Sequence, residues 1–163
     1  MLTETQAKRL DSIFMQRASM VPIKSFLPLQ EPAELNQILR LHKLSNADYF
    51  FTQIATSQNI SIPRPHGRFT FVVPSFSPGE IYCGVPRGYK TFASNIIKPI
   101  QGHTSICKGQ DVYFAGELNF KNGKLESWSN NSGHYMPNAK LAQKNLIPAV
   151  KLLLPIEKFI EIF

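Results

Sequence analysis

An Asn-Gly pair at Asn122-Gly123 separates two runs of residues that favour extended structure. The first run spans residues 111–120 and the second spans residues 124–129. Asn and Gly adopt the positive φ angles of a two-residue hairpin turn, so this pair is a strong hairpin signal. We therefore expect two antiparallel strands here, with the rest of the fold packed around them.

A two-residue turn also predicts which side chains share a face of the hairpin. Pairing Lys121 with Lys124 places Glu117 opposite Trp128, and cross-strand neighbours lie on the same side of a sheet. A glutamate beside an indole loses solvation, which raises its pKa. The opposite face is expected to be apolar and buried, and it carries Phe114, Leu118, Phe120 and Leu125.

The rest of the chain predicts a single α+β domain. Apolar residues at helical spacing predict helices before residue 60, and Ile/Leu/Val-rich stretches broken by prolines predict further helices at the C-terminus. Two short strand signals lie between them and add to the hairpin. The predicted parts are a helical segment at 1–60, with a linker at 60–65, a small antiparallel sheet core at 66–137 and closing helices at 139–163 that pack on the sheet.

The chain is basic, and its positive charge is unevenly distributed. It has 18 Lys and Arg against 11 Asp and Glu, a formal net charge of +7. The interval between Glu80 and Asp111 has no acidic residue, but it contains the basic residues Arg87 and Lys90. A positive surface attracts phosphates, anionic lipids or acidic proteins, but it is also an ordinary solvated face. No nucleic-acid-binding signature is present, so nucleic acid is not expected as a partner.

Cysteine usage and hydropathy bear on the compartment. Cys83 and Cys107 are the two cysteines of the chain, too few for a disulfide framework, and their spacing fits no zinc motif. Both lie in apolar stretches, which predicts buried free thiols and a reducing cytosol. No apolar run approaches the roughly 20 residues that cross a bilayer. We expect a cytosolic protein without a transmembrane segment, acting in the producing cell or translocated into the cytosol of a target cell.

Polar side chains with exchangeable protons are concentrated in residues 101–137. A loop after the hairpin presents a histidine and a tyrosine, and a second histidine precedes the hairpin. Imidazole transfers protons near neutral pH, and a neighbouring glutamate can orient it. The sequence therefore predicts one cleft with the catalytic residues His103, Ser105, Glu117, His134 and Tyr135.

Residues that would hold the substrate of this cleft are basic, aromatic or hydroxylic. The alternatives are that the Asn- and Ser-rich loop only ties down the hairpin through hydrogen bonds, or that it binds a ligand without catalysis. No metal-ligand spacing and no nucleophile elbow are present, so neither a metal nor a cofactor is expected. The predicted substrate-binding residues are Arg68, Arg87, Lys90, Trp128 and Ser132.

The motifs FVV, IYCG, GHTSI, FAGEL and SGHYMP, with the NG turn, resemble a domain of plant IQ-motif calmodulin-binding proteins. Similar cores end some bacterial polymorphic toxins. The resemblance covers residues 68–137, where His103 and Ser105 match an HSSF motif and residues 132–137 match SGHY-x-P. Glu117 agrees with the bacterial version, whereas the plant version tends to a basic residue. The chain has no IQ motif, so calmodulin binding is not implied.

The resemblance implies a bacterial effector or toxin-like enzyme, a transferase or hydrolase for a nucleotide-type or other anionic substrate. Arg68, Thr104-Ser105 and Glu117 follow the order of the Arg, Ser-Thr-Ser and Glu residues of ADP-ribosyltransferase toxins. The gap between Ser105 and Glu117 is shorter than such folds usually need. The alternative is a non-enzymatic basic module for a host protein or an anionic ligand. The expected partners are accordingly a host-cell protein or a nucleotide.

Overall fold

The computed structural model describes residues 3–17, 20–56, 60–88 and 97–162. Within these residues, the centre of the fold is one mixed sheet of eight strands in the order β3-β2-β1-β5-β4-β6-β7-β8. Strands β7 and β8 are parallel, and the other neighbours are antiparallel. The strands are β1 (Leu39–Lys43), β2 (Tyr49–Gln53), β3 (Ile60–Ile62), β4 (Gly67–Pro74), β5 (Tyr82–Gly84), β6 (Val112–Lys121), β7 (Lys124–Ser129) and β8 (Phe159–Ile160).

Helices pack on both sides of this sheet, so the fold is α+β. Three short 3-10 turns at Leu35–Gln37, Ile54–Thr56 and Ile156–Lys158 supplement them. The α-helices are α1 (Glu4–Arg17), α2 (His103–Cys107), α3 (Leu141–Lys144) and α4 (Pro148–Leu153).

The two sides of the sheet differ in composition, and each has its own apolar core. The back face packs against α1, α3 and α4 through a cluster rich in aromatic rings. The front face packs against α2 and the residue 20–38 segment through a smaller aliphatic cluster. We call back face the side of Phe69, Phe71, Phe114, Leu118 and Trp128, and front face the side of Arg68, Thr70, Val72, Ala115 and Glu117.

The prediction of a helical segment over residues 1–60 is wrong beyond α1. Residues 39–43 and 49–53 form the antiparallel pair β1–β2 instead. The apolar residues Leu39 and Leu41 are buried and alternate with the polar Arg40 and His42, which is the period of a strand that is buried on one side. The run is too short to distinguish a helix from a strand by its pattern, because three or four apolar residues fit both periods.

Three further predicted parts also need correction. The sequence predicts a small antiparallel sheet over residues 66–137, whereas the sheet has eight strands, is mixed and includes strands outside that range. The predicted linker at residues 60–65 contains β3, which pairs with β2 at one edge of the sheet. The range 139–163 that is predicted as closing helices contains β8 as well as α3 and α4, and β8 pairs in parallel with β7 at the other edge. Both strands are two or three residues long, so neither carries an alternating pattern that is long enough to read from sequence.

Strands β6 and β7 join through Asn122 and Gly123, whose φ angles are 48° and 83°. Their register shifts once, because Asn119 pairs with Ser127 whereas Phe120 pairs with Leu125. Glu126 is therefore the extra residue of a bulge. Each later β7 side chain lies on the face opposite to the one that an unshifted register predicts.

The bulge overturns the predicted pairing of Glu117 with Trp128. Trp128 lies opposite Leu118 on the back face, where it is almost fully buried and its Nε1 donates to the Pro155 carbonyl at 2.7 Å. The free energy gained by removing this large indole from water exceeds the cost of one bulged residue. Trp128 is therefore a core residue and is not available to a substrate at Glu117.

Candidate functional site

Glu117 lies on the front face of β6 within a polar cluster that it forms with Arg68 and Asn131. The Nε of Arg68 lies 3.2 Å from its Oε2, and the side-chain amide of Asn131 donates to Oε1. The Glu117 side chain is only 14% exposed. Burial raises the pKa of this carboxyl, and the attractions of Arg68 and Asn131 oppose that rise only in part. We call this group, together with His103 and His134, the Glu117 cluster.

His103 begins α2 and reaches the backbone of β6 next to Glu117. Its Nε2 donates to the Gly116 carbonyl at 2.8 Å, and a carbonyl accepts but cannot donate. The ring therefore carries its proton on Nε2, and Nδ1 holds the lone pair. Burial lowers the pKa of His103 to about 4, and the charge of His134 contributes in the same direction. His103 is thus neutral at physiological pH.

His134 lies in the loop after β7, close enough to His103 for their charges to interact. It is half-buried, and its Nε2 donates to the Pro28 carbonyl at 3.1 Å. This bond again leaves the lone pair of Nδ1 as the proton acceptor of the neutral ring. His103 thus contacts the backbone of β6 beside Glu117 and interacts with His134, whereas the Glu117 side chain itself contacts Arg68 and Asn131. The single cleft that the sequence predicts for these residues stays a prediction.

Three other predicted site residues are buried with their hydroxyls engaged inside the protein. Ser105 Oγ accepts from the Gly102 amide, and Ser132 Oγ accepts from the Tyr135 amide. The Tyr135 hydroxyl donates to the Gln110 carbonyl at 2.8 Å, and burial raises its pKa. The Ser105 and Ser132 bonds are local to the start of α2 and to the loop, and Tyr135 joins the loop to the end of α2, so their observed contacts are structural.

The remaining predicted substrate-binding residues lie apart from the Glu117 cluster or outside the described residues. Arg87 is exposed and forms an ion pair with Glu31 at 3.3 Å. Lys90 lies outside the described residues. Arg68 is thus the one predicted binding residue that the described contacts join to Glu117.

Both cysteine thiols are buried and free, as predicted. Burial raises the pKa of the Cys83 thiol and of the Cys107 thiol. Both are therefore protonated at neutral pH, and a protonated thiol is a poor nucleophile.

The absence of a side chain at Gly116 allows the Glu117 cluster to form, because the end of β7 lies directly against this residue. A Cβ on Gly116 would collide with the Ser129 carbonyl oxygen of the departing strand. With no side chain there, β7 turns away across β6, and the loop from Asn130 onwards brings Asn131 to Glu117. The FAGEL pattern contains this glycine, but a single sequence does not show which neighbour it must accommodate.

A groove that the sequence did not predict lies between α1, α4 and β1, with a volume of about 880 Å³. Leu10 and Leu152 line its apolar walls, and a polar end is formed by Arg40, His42 and Glu80. Arg40 Nε lies 3.4 Å from Glu80 Oε1. Burial and the Arg40 charge lower the pKa of His42. The alternation in residues 39–42 is the signal that places Arg40 and His42 on one side of a strand.

Within the described residues, no group of three or more His, Cys, Asp or Glu side chains is arranged to hold a metal ion. In the same part of the chain, no helix combines the length and the apolar character needed to cross a bilayer.

Comparison of the chain with family models, with curated proteins and with solved structures finds no match. The resemblance of residues 68–137 to the SGHY-x-P domain therefore stays a prediction, and the Glu117 cluster is interpreted from its own geometry.

Proposed function

We propose that this protein is a toxin-like effector enzyme that acts on a nucleotide-type or other anionic substrate at the Glu117 cluster. The observation that carries the proposal is the shielded Glu117 carboxyl, with its raised pKa, on the same face as two imidazoles. A carboxyl whose pKa is shifted towards neutrality transfers protons more effectively than an exposed one.

In this proposal each side chain of the cluster has its own role. His134 is the acid/base group, since it is the more accessible imidazole and keeps Nδ1 for proton exchange. Arg68 attracts the anionic group of the substrate and holds Glu117 in place. His103 is a positioning residue, because its neutral ring is fixed on the Gly116 carbonyl.

The ADP-ribosyltransferase order of residues is not carried into the proposal. Thr104 and Ser105 are buried in α2 rather than presented on a strand, and Thr104 Oγ1 bonds to the Gln30 side chain. Only the transfer or hydrolysis of an anionic substrate is proposed, without that family's chemistry.

Substitutions at the cluster test the proposal. We expect Glu117→Gln and His134→Ala to abolish growth inhibition in an expressing host, and to abolish consumption of NAD⁺ or ATP by the purified protein. Matched controls are Glu126→Gln and His66→Ala, which change an exposed glutamate and an exposed histidine. The melting temperature should barely move in all four variants. A parallel loss of stability would assign the residues to the scaffold, and unaffected activity would refute the proposal.

The second candidate function is a non-enzymatic basic module that binds a host protein or an anionic ligand. The burial of Ser105, Ser132 and Tyr135 favours it, because their hydroxyls are engaged within the protein. It predicts that Arg87→Glu and added salt weaken binding, whereas His134→Ala does not. Binding that is insensitive to both salt and Arg87 would exclude it.

A further inference from the structure

Four consecutive apolar residues, Phe26-Leu27-Pro28-Leu29, are all exposed. We call them the FLPL segment. Phe26 is 60% exposed and Leu29 is 63% exposed, although a folded chain ordinarily buries such side chains. Single exposed apolar residues are common on proteins, but a continuous run of this kind marks an interaction surface.

The FLPL segment is held in place by its backbone rather than by its side chains. The Phe26 amide donates to the His134 carbonyl at 3.3 Å, and the Pro28 carbonyl accepts from His134 Nε2. Just beyond the segment, the Gln30 amide donates to Thr104 Oγ1 at 2.8 Å. The backbone is thus fixed to the front face while the apolar side chains stay largely exposed, with one side of Leu29 resting on Gly109. Such a surface loses little conformational entropy when it docks.

The surroundings of the FLPL segment are apolar and basic. The exposed Met136 lies two residues after His134, and Lys24 lies two residues before Phe26. The Leu29 side chain packs over Gly109, which places it next to the exposed Lys108. The acidic Glu31 is neutralised by its ion pair with Arg87. With a net charge of +7, the whole molecule is attracted to negative surfaces.

From these features we infer that the FLPL segment inserts into the surface of a lipid bilayer that carries anionic lipids. Apolar side chains on a projecting segment enter the interfacial region directly, and flanking lysines bind the lipid phosphates and carboxylates. A protein partner would instead need a pocket that matches four adjacent apolar side chains. The inference goes beyond the proposed function and does not depend on it.

Co-sedimentation with vesicles tests the inference. We expect the protein to bind vesicles of phosphatidylcholine mixed with phosphatidylserine, and to bind pure phosphatidylcholine vesicles far less. In the double variant Phe26→Ser/Leu29→Ser, the bound fraction should fall at least about tenfold, because the polar serine side chains gain nothing by leaving water. The matched control is Leu35→Ser/Leu152→Ser, which changes residues that are 62% and 63% exposed elsewhere. Lys24→Glu/Lys108→Glu should weaken binding to the anionic vesicles alone.

A gain-of-signal variant keeps the test independent of folding defects. Phe26→Trp adds an exposed indole, whereas the native Trp128 is buried. We expect its emission to shift to the blue and to be quenched by brominated lipid when anionic vesicles are added. Absence of vesicle binding, equal loss in the Leu35/Leu152 control, or unchanged Phe26→Trp emission would each overturn the inference. Binding to an acidic protein without any vesicle binding would overturn it as well.

Discussion

At the scale of single residues, His103 shows how a local contact sets a charge state. Its Nε2 is committed to the Gly116 carbonyl, and burial disfavours the imidazolium. The folded protein therefore binds a proton at His103 less readily than the unfolded chain does.

This difference makes stability depend on pH. The pKa of His103 is 6.5 in the unfolded chain and about 4 in the folded protein, so its contribution is fully present above pH 6.5. As the pH falls from 6.5 towards 4, the unfolded chain takes up the proton first, and roughly 2–3 kcal/mol of stability is lost. His103→Gln keeps an N–H donor for Gly116 but does not titrate. We expect urea unfolding to show a smaller acid-induced loss in this variant than in the wild type, and equal losses would contradict the assigned pKa.

At the scale of elements, the hairpin shows how far the sequence predicts the fold. The bounds of β4, β6 and β7 follow from apolar alternation and turn residues. The apolar face of Phe114, Leu118, Phe120 and Leu125 is buried as predicted. The bulge at Glu126 is not predictable locally, because it is stabilised by burial of Trp128 against α3 and the C-terminal segment. The strands β1 and β2 are not predicted either, because their short apolar runs fit the helical and the strand period equally well.

The chain leaves β7 so close to Gly116 of β6 that a side chain at this position should cost stability. Gly116→Ala places a methyl group against the Ser129 carbonyl, so we expect a loss of at least about 2 kcal/mol from forced backbone movement. Gly133→Ala is the matched control, because nothing lies within 4 Å of its added Cβ. That change should stay within about 0.5 kcal/mol. Thermal unfolding of both variants compares them, and a stable Gly116→Ala variant would mean that β7 does not pass so close.

At the scale of the whole molecule, polar side chains join parts of the chain that are distant in sequence. Asp11 of α1 accepts from the Ala149 amide at the start of α4, and the Tyr49 hydroxyl of β2 donates to the Leu153 carbonyl. Such contacts were invisible in the sequence, since neither partner belongs to a motif. They join α1 to α4 and α4 to β2, which is why the groove beside these helices could not be predicted from the sequence.

Asn145 makes the most extensive of these connections. Its side-chain amide donates to the carbonyls of Val21 and Tyr113 at 2.7 and 3.0 Å, and its Oδ1 accepts from the Val21 amide at 2.9 Å. The residue is fully buried, so Asn145→Ala would leave three backbone groups without this partner. We expect a loss of about 3 kcal/mol, read as a lower urea midpoint at an unchanged slope.

Asn36→Ala is the matched control, because Asn36 is exposed, and we expect its stability to change by less than about 0.5 kcal/mol. Asn145→Ala should also weaken the attachment of the segment around Val21 to β6, because that segment bonds to the strand through Ile23 and Val112. Hydrogen exchange at the Ile23 amide measures this directly, because local opening exposes it. Equal midpoints for the two variants, with an unchanged Ile23 exchange rate, would show that Asn145 does not hold the N-terminal segment on the sheet.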